Sequence, residues 1–234
     1  MALQAFRRVQ WLQDGARILA EAVDGSRPLL IHGMLAPAAC EALLARVSQT
    51  GRDAAALALR PAAGTNLVSS QSTPRRQRAF ACAELLGGAR AGQVRLDVPP
   101  VFDATQLGLP FALADEDCAF FVTSAGLRTP LHSDERHGLL LHLSGAKNFV
   151  IFEPADSDAD HETLRTLLDL RKAPGDHETL YGAGRTNAAL ETVPFHSGTL
   201  EPGDALLLPQ RWLHDLESVT ATVSLSLRWG KRKD

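Results

Sequence analysis

Residues 129–154 read TPLHSDERHGLLLHLSGAKNFVIFEP. Two apolar runs inside this stretch, GLLLHL and KNFVIF, are separated by the turn-forming SGA, so two neighbouring strands are expected. Both runs are too short for a buried helix and are bounded by Gly, Ser, Asp and Pro. Outward from there the same grammar recurs at VRLDV, AFFVTSA, GDALLLP and ATVSLSLRW, all beyond about residue 94. Short strands with no helical period between most of them predict a sandwich or barrel.

Upstream the pattern changes. Ile18, Leu19, Ala22 and Val23 fall at helical spacing, RPLLIHGM follows as a short strand, and Pro37 opens a second helix with Cys40, Leu43, Leu44 and Val47 as its apolar stripe. These helices are expected to pack outside the sheet, giving a mostly β fold with flanking helices. The organisation expected is one domain over residues 1–234, with N-terminal support to about 93 and the barrel over about 94–230. An insertion is expected over about 155–195, where the acidic ADSDADHE, the helix-like TLRTLLDLRK and Gly175, Gly182 and Gly184 interrupt the strands. Such insertions are often lids or substrate loops. DHETL occurs at 160–164 and 176–180, but two five-residue copies without a wider period imply no repeat architecture.

At 45% hydrophobic and 22% charged residues, the composition is that of an ordinary globular chain. Cys40, Cys82 and Cys118 are odd in number and lack CxxC spacing, which suits free thiols in a reducing compartment; the cytoplasm is the expected location. A net charge of −3 gives no general attraction to nucleic acid, and Arg75, Arg76 and Arg78 within SSQSTPRRQR read as a solvated loop. No stretch approaches the roughly 20 apolar residues of a membrane span. The opening MALQAFRRVQWLQDGARILAEAV shows no signal-peptide apolar run with a cleavage site, so secretion is not expected.

The chemistry sits in LHSDE and in LLLPQRWLHDLES. On a strand, positions i and i+2 share a face, so His132 and Asp134 can take adjacent positions on one metal ion. An H-x-D pair alone is weak. His214, expected just after a strand, completes two imidazoles and one carboxylate, the facial set of non-haem Fe(II) oxygenases. Three positions stay open, enough for a bidentate 2-oxo acid and O2. Lys147, on the next strand, is ordinarily a surface lysine if taken alone. Beside a metal in a barrel it needs an anion, because an unpaired buried charge is costly. The distal carboxylate of 2-oxoglutarate would supply that anion, with the Thr129 hydroxyl as a second donor.

The runs FFVTSAGLRTPLHSDERHGLLLHLSGAKNFVIFEP and LEPGDALLLPQRWLHDLESVTATVSLSLRW resemble the Jumonji-C and cupin-like branch of the 2-oxoglutarate oxygenases in order, spacing and connecting phrases. The resemblance is strong over 117–154 and 198–229, weak over 27–48, and leaves much of 49–116 and the insertion unmatched. It implies a double-stranded β-helix (jelly roll). His132, Asp134 and His214 would be the iron ligands, and Lys147 and Thr129 would bind the 2-oxoglutarate tail. Two positions depart from the pattern: Gly138 stands where the family often has asparagine, and Arg228 stands near a frequent asparagine. Arg228 is therefore a substitute donor for the inner carboxylate, or a competitor of Lys147 for the outer one.

The remaining histidines are weaker candidates. His142 has the spacing to line the pocket and His137 lies near the metal pair, but both read first as structural. His196 is expected before a turn, and His32, His161 and His177 lack a ligand partner at useful spacing. Trp212 is expected to pack beneath the site. The activity implied is hydroxylation of a C–H bond coupled to decarboxylation of 2-oxoglutarate to succinate. The leading substrate is a peptide or protein side chain, with a free amino acid or natural-product intermediate as the alternative. Histone demethylation ranks below both, for want of a zinc-binding cysteine set or a basic tail. A metal-binding cupin without oxygenase activity, or an interaction module, is the reading from another class. A homodimer remains open.

Overall fold

The structure, a computed structural model, describes residues 7–11, 14–53, 57–59, 86–88, 92–97, 109, 113, 117–153 and 195–230. The expected insertion, both DHETL copies, the arginine cluster at 75–78 and Cys82 lie outside the described residues, except that the insertion's last residue, Phe195, opens a strand.

In chain order the elements are β1 (Arg7–Gln10), α1 (Gly15–Asp24), β2 (Leu29–His32), α2 (Pro37–Asp53), β3 (Leu57–Leu59), β4 (Gln93–Asp97), β5 (Cys118–Thr123) and β6 (Arg128–His132), followed by β7 (His137–Ser144), β8 (Lys147–Phe152), β9 (Phe195–Leu200), β10 (Ala205–Leu208), β11 (Leu213–Ser218) and β12 (Thr222–Trp229). They form an eight-stranded sheet in the order β1-β2-β10-β7-β12-β5-β4-β3 and a four-stranded sheet in the order β6-β11-β8-β9. This is the expected jelly roll, its two sheets facing each other without closing into a continuous ladder. The large sheet also takes in β1, β2 and β3 from the region expected only as support.

Alternation decides which residues face which layer. Along β12, Val223, Leu225, Leu227 and Trp229 join the core between the large sheet and the helices, with Leu19 and Ala22 of α1 and Cys40, Leu43 and Val47 of α2. Thr222, Ser224, Ser226 and Arg228 therefore point the other way, between the sheets. That interior has an apolar part built from Leu30, Leu140, Leu206 and Leu208 of the large sheet against Phe149, Ile151 and Leu200 of the small one, with Trp212. Each fully buried Leu, Ile or Phe side chain stabilises by roughly 1.5–3 kcal/mol relative to exposure.

Pro37 begins α2, where its missing N–H costs nothing, and the Ala36 carbonyl accepts from the N–H groups of Ala39 and Cys40. Three local expectations are corrected. Residues 7–10 form a parallel partner to β2 within a segment that reads as helical, because the edge of β2 offers a free ladder that local pattern does not reveal. His196 lies within β9 and not before a turn, since β8 supplies it with an antiparallel partner. His214 lies inside β11 and not after a strand, because β6 and β8 flank it on both sides.

Candidate metal centre and anion pocket

β11 pairs with β6 so that His214 stands directly opposite His132, and the register then shifts so that Leu216 stands opposite Thr129. The extra residue on β6 is a bulge. It places Thr129 and His132 on one face although they are three apart, since Leu216 and His214 share a face. Asp134 lies just past the end of β6, where the N–H of Arg211 donates to its backbone carbonyl at 3.0 Å. Arg211 adopts φ 73, a backbone conformation rare for a side-chain-bearing residue.

His132 Nε2 lies 4.0 Å from Asp134 Oδ1, and His214 Nε2 lies 3.9 Å from Asp134 Oδ2. The ring centroids of the two histidines are 4.3 Å apart. One ligand atom from each of the three residues fits within a 4.8 Å span. His214 Nδ1 lies 2.9 Å from the Trp212 carbonyl, which accepts only, so Nδ1 carries the proton and Nε2 keeps its lone pair on the side of Asp134. Burial, reinforced by His132, pushes the His214 imidazole down to about 4, leaving it neutral near pH 7. Burial opposes ionisation of Asp134, but His214, Arg228 and His132 outweigh it and hold the carboxyl below its ordinary value. Two imidazoles and an ionised carboxylate with room between them fit a divalent first-row metal.

Lys147 opens β8, opposite Ser218 on β11 and Leu200 on β9. Its side chain is buried, with only 4% of the residue exposed, and its Nζ donates across the interior to Ser224 Oγ on β12 at 3.4 Å. No carboxylate pairs with it among the described residues. Burial accordingly lowers its ammonium to about 8.

Arg228 lies four residues further along β12 from Ser224, about 13 Å of strand, and its Nη2 is 3.5 Å from Asp134 Oδ2. The guanidinium and Lys147 thus attend opposite ends of one interior. Gly138 is the direct cross-strand neighbour of Arg228. A Cβ built at Gly138 would meet nothing closer than 3.9 Å, so the two departures from the family pattern adjoin, and the absent side chain leaves space beside the long one.

His142 is buried, with bonds to Ser224 and to the Gly145 carbonyl. His137 stacks on Trp229 with centroids 5.8 Å apart. Trp212 is buried in the interior core and its indole N–H donates to the Ser26 carbonyl. Two features escape sequence reading. Ser224 joins Lys147 to His142, and the alternation in TVSLSLRW carries the signal for an inward polar stripe. Arg128 of β6 pairs with the fully buried Asp215 of β11, and Arg136 pairs with Asp117 at 2.5 Å. No sequence signal joins those partners.

Residues 39–233 match the cupin-like domain family. The chain belongs to that family. Among curated proteins it is similar to Jumonji C domain-containing protein 5 of Drosophila melanogaster, 31% identical over 117 residues, which cover 48% of this chain and 27% of that protein. Lysine-specific demethylase JMJ31 of Arabidopsis thaliana is 29% identical over 118 residues, 47% of this chain and 20% of that protein. The tRNA wybutosine-synthesizing protein 5 of Gallus gallus is 26% identical over 112 residues, 47% of this chain and 32% of that protein. The chain thus spans less than a third of each of these relatives. The family match and the Jumonji relatives place it in the Jumonji-C and cupin-like branch of the Fe(II)/2-oxoglutarate oxygenases. No helix among the described residues is long and apolar enough to cross a membrane.

Proposed function

We propose that this protein is an Fe(II)- and 2-oxoglutarate-dependent dioxygenase that hydroxylates a C–H bond of a peptide or protein side chain. The overall conversion is R–H, O2 and 2-oxoglutarate to R–OH, succinate and CO2. The observation that carries this reading is the pairing, within one interior, of a His132/Asp134/His214 cluster with a buried ammonium that has no carboxylate partner among the described residues. Along β8, Lys147 and the residue opposite His214, Ile151, are four positions apart, about 13 Å of strand. A five-carbon diacid together with the lysine side chain suits that span.

In this reading His132, Asp134 and His214 hold the iron. Lys147 and Thr129 bind the outer carboxylate of 2-oxoglutarate, and Arg228 binds the inner one. Bound Fe(II) would supply O2 activation coupled to decarboxylation of the 2-oxo acid. Lys147 and Arg228 fix the cosubstrate at its two ends, and the apolar wall of Leu140, Phe149, Leu206 and Leu208 keeps water from the carbon chain between them. Protein side chains are the preferred substrate class because the Arabidopsis relative JMJ31 is named a lysine-specific demethylase; a nucleic-acid partner is not proposed, given the net charge of −3.

The test is succinate release by the Fe(II)-loaded chain in air with 2-oxoglutarate and a panel of peptides, methyllysine peptides, free amino acids and tRNA. Turnover stimulated by peptides and abolished by His132→Ala is expected. Turnover surviving His132→Ala sinks the assigned ligands. Stimulation by free amino acids or tRNA alone replaces the substrate class, and no turnover with any substrate returns the chain to a non-oxygenase cupin.

A further inference from the structure

We propose that Ser224 and His142 are positioning residues that aim the Lys147 ammonium at the outer carboxylate, and so make the pocket selective for a 2-oxo diacid over a 2-oxo monoacid. This rests on the cosubstrate reading above and names side chains which that reading does not use.

The three residues lie on different strands of both sheets and meet in the interior. Lys147 Nζ is 3.4 Å from Ser224 Oγ, Ser224 Oγ is 3.0 Å from His142 Nδ1, and His142 Nε2 is 2.9 Å from the Gly145 carbonyl oxygen. Ser224 and His142 are fully buried, so each polar atom must find its partner within the protein.

The proton positions follow from the partners. A carbonyl only accepts, so His142 Nε2 carries hydrogen and donates to Gly145. The ring is neutral near pH 7, since burial and the Lys147 charge bring it to about 4, and a neutral ring with Nε2–H leaves Nδ1 as an acceptor. The Ser224 hydroxyl must then donate to Nδ1, which leaves its oxygen lone pairs for the ammonium. Every donor in the chain from Lys147 through Ser224 and His142 to Gly145 points the same way. Lys147 spends one N–H on Ser224 and keeps two for a ligand.

The far end of this relay cannot drift. Gly145 has φ +79, and a Cβ there would come within 2.2 Å of the Ala221 carbonyl oxygen, so only glycine fits the turn. The His142 N–H donates to the Asp204 carbonyl and its own carbonyl accepts from Gly203, both at 2.8 Å. An unbranched lysine has many rotamers, and ordering it only on ligand entry costs affinity. An ammonium already tethered through a fixed relay avoids most of that cost. The benefit reaches only ligands that have a second carboxylate.

The test is calorimetric titration of 2-oxoglutarate, and separately of 2-oxobutyrate, which lacks the outer carboxylate, into the Mn(II)-loaded full chain. Ser224→Ala and His142→Leu are expected to weaken 2-oxoglutarate about tenfold, or ~1.4 kcal/mol, with 2-oxobutyrate unchanged. His142→Gln, whose amide can accept from Ser224 and donate to Gly145, should recover most of the loss. Melting temperatures of all variants are read alongside; if His142→Leu does not fold, Ser224→Ala and His142→Gln carry the comparison. Equal weakening of both ligands means a collapsed pocket and overturns the proposal, as does wild-type affinity for 2-oxoglutarate in Ser224→Ala. Failure of the wild-type chain to bind 2-oxoglutarate at all overturns the cosubstrate reading itself and the relay with it.

Discussion

Replacing Lys147 with methionine should make the ligand-free protein more stable while destroying its response to 2-oxoglutarate. Burial lowers the Lys147 ammonium from its ordinary 10.5 to about 8. At about 1.4 kcal/mol for each tenfold change in the protonation equilibrium, that gap disfavours the charged form in the folded chain by roughly 3 kcal/mol. Methionine has similar length and no charge, so it removes this penalty. Losing the donor to Ser224 takes back about 1 kcal/mol. The net gain near pH 7 is on the order of 2 kcal/mol, or roughly 4–8 °C in melting temperature for a chain of this size.

The sign with pH is equally specific. Below about pH 8 Lys147 is charged in both folded and unfolded chains, and the full penalty applies. Between about 8 and 10.5 the unfolded chain binds more protons than the folded one, so the contribution of this group to stability rises with pH. Affinity for a dianionic ligand runs the other way and falls above about pH 8 as the ammonium is lost. Denaturant unfolding followed by circular dichroism at pH 7 to 10.5, for wild type and Lys147→Met, isolates the lysine by difference. With 2-oxoglutarate present, wild type should gain stability by mass action and the variant should not. A variant that melts at or below wild type, with no pH-dependent difference between them, would refute the reasoning by showing that the ammonium is already neutralised.

Arg228→Met should weaken 2-oxoglutarate and 2-oxobutyrate alike, by about tenfold or ~1.4 kcal/mol, because both carry the inner carboxylate; loss confined to 2-oxoglutarate would move Arg228 to the outer end. Arg128→Met removes the guanidinium from the fully buried Asp215 and should cost about 1.5–3 kcal/mol in urea unfolding, the worth of a hydrogen bond to a charged group; a loss under about 0.5 kcal/mol would show the pair to be solvent-screened. Trp212→Phe keeps an aromatic ring but removes the indole donor to Ser26 and part of the buried volume, for a loss of about 1–3 kcal/mol. Mn(II) affinity should stay unchanged in that variant, since His214 bonds to the backbone carbonyl of residue 212. A weakened metal site there would mean that the indole itself sets the His214 orientation.

Much of this protein is legible in its sequence, because jelly-roll strands are short, alternate in polarity and end at turn residues. The runs around 118–152 and 205–229 become strands where that pattern places them, whereas Asp134 falls just past the end of β6, so strand alternation alone does not set its orientation beside His132. What local pattern does not contain is pairing. β1 exists because β2 has an open edge, and His214 lies within a strand because two others flank it. The bulge that turns Thr129 and His132 to one face is a property of the β6 and β11 register, not of either segment. Arg228 beside Asp134 and Lys147 beside Ser224 separate two cations that the sequence left in competition, because the side chains cross between sheets and their distances are fixed only when the sheets pack. Composition and period set the strands and nominated the ligands. Tertiary packing alone decided which end of the interior each charge attends.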